Sequence, residues 1–431
     1  MDILGDSILS ELAVESTVGS IITVVGIGGA GGNAVNYMWD IGIRNVEFLV
    51  CNTDQLVLDN SPISNKIRLG DDGLGAGNDP EKGRSAALAS LDLVREQLIA
   101  LNTRMLFITA GMGGGTGTGA APVVAKLARE LDILTVAIVT SPLLVEGELR
   151  YNQAMRGIDE LRECVDSLLI INNENIQKIY LEKNATAYEA FSKANEILSY
   201  AAKGISEIIT VQSTFIHVDF ADVSKVMRDS GRAHMSVEKA SGENRAMVVA
   251  KNSLSSPLLN HNHITGAKDI LLNIAVAKLE DLQFTEVNDI LNYIQNNARV
   301  VTMSGEVRTA NIIWGMSVKP YLEDALELVM VATGFDDVTD GDYSDFSNKL
   351  SMLFSDPNSP IVRLNAGQKP NDSSEGVTTK VRRGIIRDED RIILPERERR
   401  YPNIASFLKN PAYKARLAQM IEETPAESSA Q

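Results

Sequence analysis

From Ser20 onward, short β-rich apolar runs alternate with stretches whose apolar residues recur every three to four positions, the pattern of βαβ units. The strand-like runs cover residues 21–25, 45–51, 104–109, 134–139 and 167–171. An α/β fold with a doubly wound, mostly parallel sheet is expected. Over 188–209, Phe191, Ala194, Leu198, Ala201, Ile205 and Ile208 repeat at helical spacing. They predict a helix of roughly 33 Å at 1.5 Å per residue, suited to joining two domains. From Thr214 the character changes: 269–278, 299–303, 311–317 and 325–332 read as strands, several with period-two alternation, and 285–297 reads as a helix. A smaller α+β domain ends near Phe335. Residues 336–400 are rich in Asp, Ser, Asn, Gly, Lys and Arg, a composition too polar to offset the entropy of ordering, so a disordered linker is expected. Tyr401, Pro402, Ile404, Phe407 and Leu408 then restore apolar anchors, and 411–421 suits a short helix. The expected organisation is a flexible arm (1–20), an α/β domain (21–187), a central helix (188–210), an α+β domain (211–335), a linker (336–400) and a partner-docking tail (401–431).

Composition narrows the function classes. The chain has 431 residues, long for one domain, and 44% of them are hydrophobic, enough for a large core. A net charge of -16 argues against a nucleic acid partner, whose phosphates need clustered Lys and Arg, and makes self-association sensitive to salt and divalent cations. Cys51 and Cys164 lie in apolar segments without metal-like spacing, which suits a reducing compartment and buried structural thiols. The first 20 residues lack a basic region followed by an apolar core, and no later segment reaches the length of a membrane span. A soluble, cytoplasmic protein without direct membrane insertion is expected.

The chemistry concentrates in glycine-rich runs. Residues 111–119, Gly-Met-Gly-Gly-Gly-Thr-Gly-Thr-Gly, follow an apolar strand and open into a helical stretch at 121–131, as a phosphate cradle does. No Gly-x-x-x-x-Gly-Lys-Ser/Thr sequence occurs, so main-chain amides, hydroxyls and Mg²⁺ must hold the phosphates without a lysine. A second glycine-rich turn, 26–33, satisfies Gly-x-Gly-x-x-Gly at Gly26, Gly28 and Gly31, ahead of a helix over 34–39. Asp54 ends the next strand where a Rossmann fold places its ribose acid, so a nicotinamide-dependent oxidoreductase competes. Two cradles in one domain suit a nucleoside triphosphate better than one dinucleotide pyrophosphate. Asn52 and Asp54 follow the second predicted strand, Ala76, Gly77, Asn78, Asp79 and Pro80 form a turn, and Glu146 with Arg150 follow the fourth. Singly these are an ordinary turn and an i,i+4 surface pair; together they mark the strand ends where open α/β sheets bind ligands. A third group, His217, Asp219 and Asp222, reads either as a capped helix start or as carboxylates that orient water for phosphoanhydride hydrolysis. The residues alone leave both open.

These motifs together resemble the FtsZ family, the tubulin-like cell-division GTPases of bacteria, over residues 21–335. Gly-Gly-Gly-Thr-Gly-Thr-Gly at 113–119, joined to Val-Asp-Phe-Ala-Asp at 218–222, carries the resemblance. It implies GTP or GDP with Mg²⁺ in the first domain, with Gly29, Ala30, Gly31, Gly32, Asn33, Gly115, Thr116 and Gly117 on the phosphates. Gly28, Gly113, Gly114, Thr118, Asn52, Asp54, Ala76 and Gly77 would line the nucleotide, and Glu146 and Arg150 the ribose side. Phe191 would stack on the base, with Asn195 facing its Watson–Crick edge and Glu196 beside it. The resemblance further implies head-to-tail protofilaments at the mid-cell division site, with Asp219 and Asp222, bordered by His217, completing a neighbouring subunit's site in trans. It makes the tail a dock for FtsA-like membrane tethers and other division proteins. The chain departs from the family at His217 and Asp79, where Asn is usual, and in the looser spacing of its tail. Two other readings compete: a nucleotide-binding scaffold filament with negligible hydrolysis, and the oxidoreductase.

Overall fold

Along β1 (Ile22–Ile27) every residue is buried, and alternate side chains serve two cores: Ile22 and Val24 on one face, Val25 and Ile27 on the other. Such a strand must be covered by helices on both sides. The computed structural model describes residues 20–43, 45–173, 187–210, 216, 218–255, 264–301 and 307–335. The expected arm apart from Ser20, the linker, the tail and His217 lie outside the described residues. After β1 come α1 (Gly28–Asp40), β2 (Glu47–Asn52), α2 (Gln55–Asp59), β3 (Asn65–Arg68), α3 (Pro80–Ala89), α4 (Leu91–Ala100), β4 (Met105–Gly111), α5 (Thr116–Glu130), β5 (Leu134–Ser141), α6 (Glu148–Cys164) and β6 (Ser167–Asn172). Then α7 (Ala187–Thr210), α8 (Phe220–Met227), β7 (Gly231–Ala240), α9 (Arg245–Leu254), β8 (Asp269–Val276), α10 (Phe284–Ala298), β9 (Val300–Val301), β10 (Val307–Arg308), β11 (Asn311–Val318) and β12 (Leu326–Thr333) follow.

Ten strands form one sheet in the order β11-β8-β12-β7-β6-β5-β4-β1-β2-β3. Every pairing in it is parallel except those of β12, which runs antiparallel to β7 and β8. All the other strands therefore end at one common carboxyl edge. The sheet is thinnest at β6 and β7, joined only through Ser167 with Gly231 and Leu168 with Arg232. There α7 reinforces it, burying Leu198, Ala201, Ile205 and Ile208 in the core that also holds Val329 and Val331 of β12. Gly204 lets the helix come close, because a Cβ there would stand 2.5 Å from Met235 Cε. Burial lifts the Cys51 thiol to about 12, as expected of a structural cysteine. Cys164 departs from that expectation: it is only half-buried, at the end of α6.

A buried ion cluster ties α7 to the far half of the sheet. Lys319, just past β11 and 6% exposed, places its Nζ 2.5 Å from Glu207 Oε2 on α7 and 2.5 Å from Glu327 Oε1 on β12. Burial alone pulls the Lys319 pKa down, but Glu327 and Glu207 outweigh it and hold the value above that of ordinary lysine. A raised lysine pKa contributes stability that is fully present below the unfolded value and lost only as pH rises through the folded one. Lys319→Met leaves two buried carboxylates facing each other, and is expected to destabilise the protein by about 3–5 kcal/mol. A urea midpoint that drops equally at pH 6 and pH 8 would bear this out; an unchanged midpoint would mean the cluster adds nothing to stability.

Candidate functional site

At the carboxyl edge, β1 ends in Gly28, whose φ of +73° turns the backbone directly into α1. The expected free turn through Asn33 is corrected: Gly28 to Asn33 are already helical. Its N-cap, Ile27, makes no side-chain cap, and the first turn holds no acid. The second run behaves alike. α5 starts at Thr116, ahead of the expected 121, behind Gly115, which makes no side-chain cap, and again no acid stands in the first turn. Nearby helices differ. Asp54 caps α2, accepting from Leu56 N at 2.9 Å and Val57 N at 3.4 Å, and Asp79 caps α3, accepting from Glu81 N at 3.0 Å. The two bare helix starts adjoin, since a Cβ on Gly28 would lie 2.9 Å from Gly117 N, and the Thr53 and Thr116 hydroxyls are 2.7 Å apart. Unpaired N–H groups at both starts make a site for an anion with several charged oxygens.

The glycines divide by what surrounds them. A Cβ on Gly31 would stand 2.2 Å from Thr109 O, one on Gly117 2.6 Å from Gly111 O, and one on Gly115 2.8 Å from both Ala76 Cβ and Asp79 N. Gly32 rests against Val50, and Gly113, at φ +100°, lies under Arg150 O. Gly29 and Gly114 face open space, with nothing within 4 Å. Beside them, Ala30 and Asn33 are exposed and Gly77 is exposed at φ +59°. Thr118 is buried and braces the loop, accepting from Gly113 N at 2.8 Å.

Several predicted polar groups have structural duties. Buried Asn52 accepts from Asp54 N at 3.2 Å. Glu146 accepts from Leu143 N at 2.9 Å and lies 3.1 Å from Arg150 Nε, so the i,i+4 pair also ties the segment after β5 to α6. Asn195 and Glu196 sit half-buried on α7, whereas Phe191 is on that helix with its side chain outside the described residues. Residues that sequence reasoning missed lie beside this edge. The Ser141 hydroxyl donates to Asn172 Oδ1 at 3.4 Å, and the buried Gln153 Oε1 and Asn173 Oδ1 have no partner. Gln153 lies three residues past Arg150 on α6, the stripe of Glu146 and Arg150, and the pair Asn172-Asn173 closing an apolar strand was the available signal. A buried amide oxygen without a donor accepts readily from a ligand hydroxyl or N–H.

The acidic pair forms a capping box: Asp219 Oδ1 accepts from Asp222 N at 2.8 Å, and Asp222 Oδ2 accepts from Asp219 N at 3.4 Å. Asp219 remains exposed and Asp222 half-buried. The residue before them, Val218, packs on Gly315 of β11, the outermost strand. From β11 to β4 is six strand spacings, about 29 Å at roughly 4.8 Å each. One chain therefore does not bring Asp219 and Asp222 to its own cradle. Among the described residues no cluster of three or more His, Cys, Asp or Glu side chains fits a metal ion, and no helix is long and apolar enough to cross a membrane.

The GTPase-domain model of the Tubulin/FtsZ family matches residues 21–181, and the FtsZ-family C-terminal domain model matches 231–336. The cell division protein FtsZ of Porphyromonas gingivalis is 40% identical over 371 residues, covering 85% of this chain and 78% of that protein. The chain belongs to the FtsZ family. An empty FtsZ dimer from M. jannaschii matches with a TM-score of 0.65 at 35% identity, covering 78% of this chain and 93% of that one. CetZ2 from Haloferax volcanii, a GTPgS-bound protofilament, shares the fold at 20% identity and a TM-score of 0.63, covering 77% of this chain and 98% of its own. This FtsZ-family protein is thus a tubulin-like, GTP-binding cell-division GTPase. The oxidoreductase reading is not favoured: Asp54, its ribose acid, is the cap of α2.

Proposed function

We propose that this chain assembles head to tail into filaments of the division ring and hydrolyses GTP only where two subunits meet. The β- and γ-phosphates would rest on the bare starts of α1 and α5, with Gly29 and Gly114 leaving room for them. Glu146 and Arg150 would border the ribose, and Phe191, Asn195 and Glu196 on α7 the base. Mg²⁺ would ride on the phosphate oxygens, with the Thr116 hydroxyl and water as further oxygen ligands, since the cradle carries no lysine. It would supply charge neutralisation at the phosphates. Asp219 and Asp222 of the next subunit would orient the attacking water. The observation that carries this reading is the span of about 29 Å between the strand seating the acidic turn and β4, which leaves each chain with two half-sites. Loss of the γ-phosphate would then remove charge and contacts from the interface that built the site, loosening the filament. The apolar tail residues from Tyr401 to Leu408 would hold the filament to an FtsA-like membrane tether and other division proteins at mid-cell.

The test is GTP turnover per subunit at rising protein concentration with Mg²⁺, alongside sedimentation. Turnover near zero below a threshold and rising with pelletable polymer is expected. Turnover independent of concentration would mean that each chain completes its own site, and the shared-site reading would be abandoned.

A further inference from the structure

β11 is an edge strand, paired only with β8, and glycine stands in its middle at Gly315. Glycine weakens a strand interior and marks a place where another backbone comes close. Here that backbone leads to the acidic turn. Met316 N donates to Ile216 O at 3.1 Å, and a Cβ built on Gly315 would lie 2.8 Å from Val218 Cγ2 and 3.2 Å from Ile216 O. Val218 is 3% exposed and packed in the core beneath α7, so its methyl has no free direction in which to retreat. Asp219 is the next residue.

The far end of α8 is held as well. The Ser167 hydroxyl donates to Met227 O at 2.7 Å and the Thr333 hydroxyl to Val226 O at 2.8 Å. Asp229 N donates to Asp166 Oδ1 at 3.3 Å, and Arg228 pairs with Asp132 at 2.9 Å. A short helix anchored at its carboxyl end cannot absorb a push at its amino end by sliding. The displacement falls on the capping box.

We propose that Gly315 is a positioning residue for GTP hydrolysis: by lacking a side chain it lets Val218 and Ile216 seat on β11, and so fixes where Asp219 and Asp222 are presented to the neighbouring subunit. The proposal rests on the shared-site reading above. Gly315 touches no nucleotide; it acts through the seat of the acidic turn. Misplacement by about an ångström is enough to cost up to about a hundredfold in rate.

The test compares wild type, Asp222→Ala, Gly315→Ala and the double variant Gly315→Ala with Val218→Ala. Three quantities are read: GTP affinity of the dilute subunit, pelletable polymer, and turnover per polymerised subunit. Gly315→Ala is expected to bind GTP and pellet as wild type while turnover falls about ten- to hundredfold. The double variant, which removes the clashing Val218 methyl, is expected to regain most of that turnover. Wild-type turnover in Gly315→Ala, with Asp222→Ala inactive, overturns the positioning role and leaves the shared site standing. Parallel loss of all three quantities in Gly315→Ala without recovery in the double variant also overturns it, marking a purely structural glycine. Wild-type turnover in Asp222→Ala removes the shared-site reading itself and the proposal with it.

Discussion

Asp222→Ala is expected to lower GTP turnover per polymerised subunit by about a hundredfold or more, with GTP affinity of the dilute subunit unchanged. The argument is geometric. Asp222 lies on α8, seated against the outermost strand, and the cradle of its own chain stands about 29 Å away across the sheet. Removing its carboxylate therefore cannot disturb nucleotide held by the same chain. The structural cost is small as well. The cap of α8 is Asp219 Oδ1 accepting from the backbone N–H of residue 222, and that bond survives in the variant. Only the return contact from Asp219 N to Asp222 Oδ2, long at 3.4 Å, is lost. Asp219→Ala is a poorer probe, because loss of the cap itself costs about 0.5–2 kcal/mol. Asp222→Asn keeps the return contact and removes the charge, so equal loss in Asn and Ala variants would assign the effect to charge. Polymer that forms and turns over GTP at the wild-type rate in Asp222→Ala would instead favour a filament whose acidic loop is only a helix cap.

The strands that build the cradle were legible because they are buried on both faces. In β5 all eight residues are buried, and the run reads as apolar without reference to its partners. β3 escaped notice for the opposite reason: it is a four-residue edge strand in which Lys66 and Arg68 are exposed. β7 carries Arg232, Glu238 and Lys239, which break its apolar pattern although His234 to Ser236 are buried. The helix α3 was announced by Asp79 and Pro80, a capping residue followed by proline at the first helical position, and was read as a turn. The two glycine runs were read as loops that precede helices, whereas Gly28 and Thr116 already begin them. Glycine has poor helix propensity, so the boundary was placed where alanines start; close packing against neighbouring backbone overrode it. The gap between cradle and acidic turn was not legible at all. It depends on the order β11-β8-β12-β7 beyond β6, which long-range pairing decides.

Nor does a sequence reveal which glycine of a run faces a ligand and which faces protein, and that division leads to opposite expected results within one loop. Gly114 has a φ outside the left-handed region and open space where a side chain would go. Gly114→Ala should therefore leave the nucleotide-free protein as stable as wild type, or more stable by about 0.4–1 kcal/mol, because alanine has fewer unfolded conformations to lose. Its methyl enters the space allotted to phosphate, and GTP affinity is expected to fall at least about tenfold, from lost approach to the bare N–H groups. Gly117 is the reverse case. A methyl there meets Gly111 O at 2.6 Å, and backbone at the end of a strand buried in the sheet has little freedom to withdraw. Gly117→Ala is expected to destabilise the nucleotide-free protein by about 1–3 kcal/mol through overpacking. Its effect on GTP affinity follows from the separation of the two helix starts. Thermal melts without nucleotide and GTP titrations on both variants separate the cases. A destabilised Gly114→Ala with normal affinity would place the phosphates elsewhere than between α1 and α5. An undisturbed Gly117→Ala would mean that the close approach of α5 to β4 is not what holds the cradle in shape.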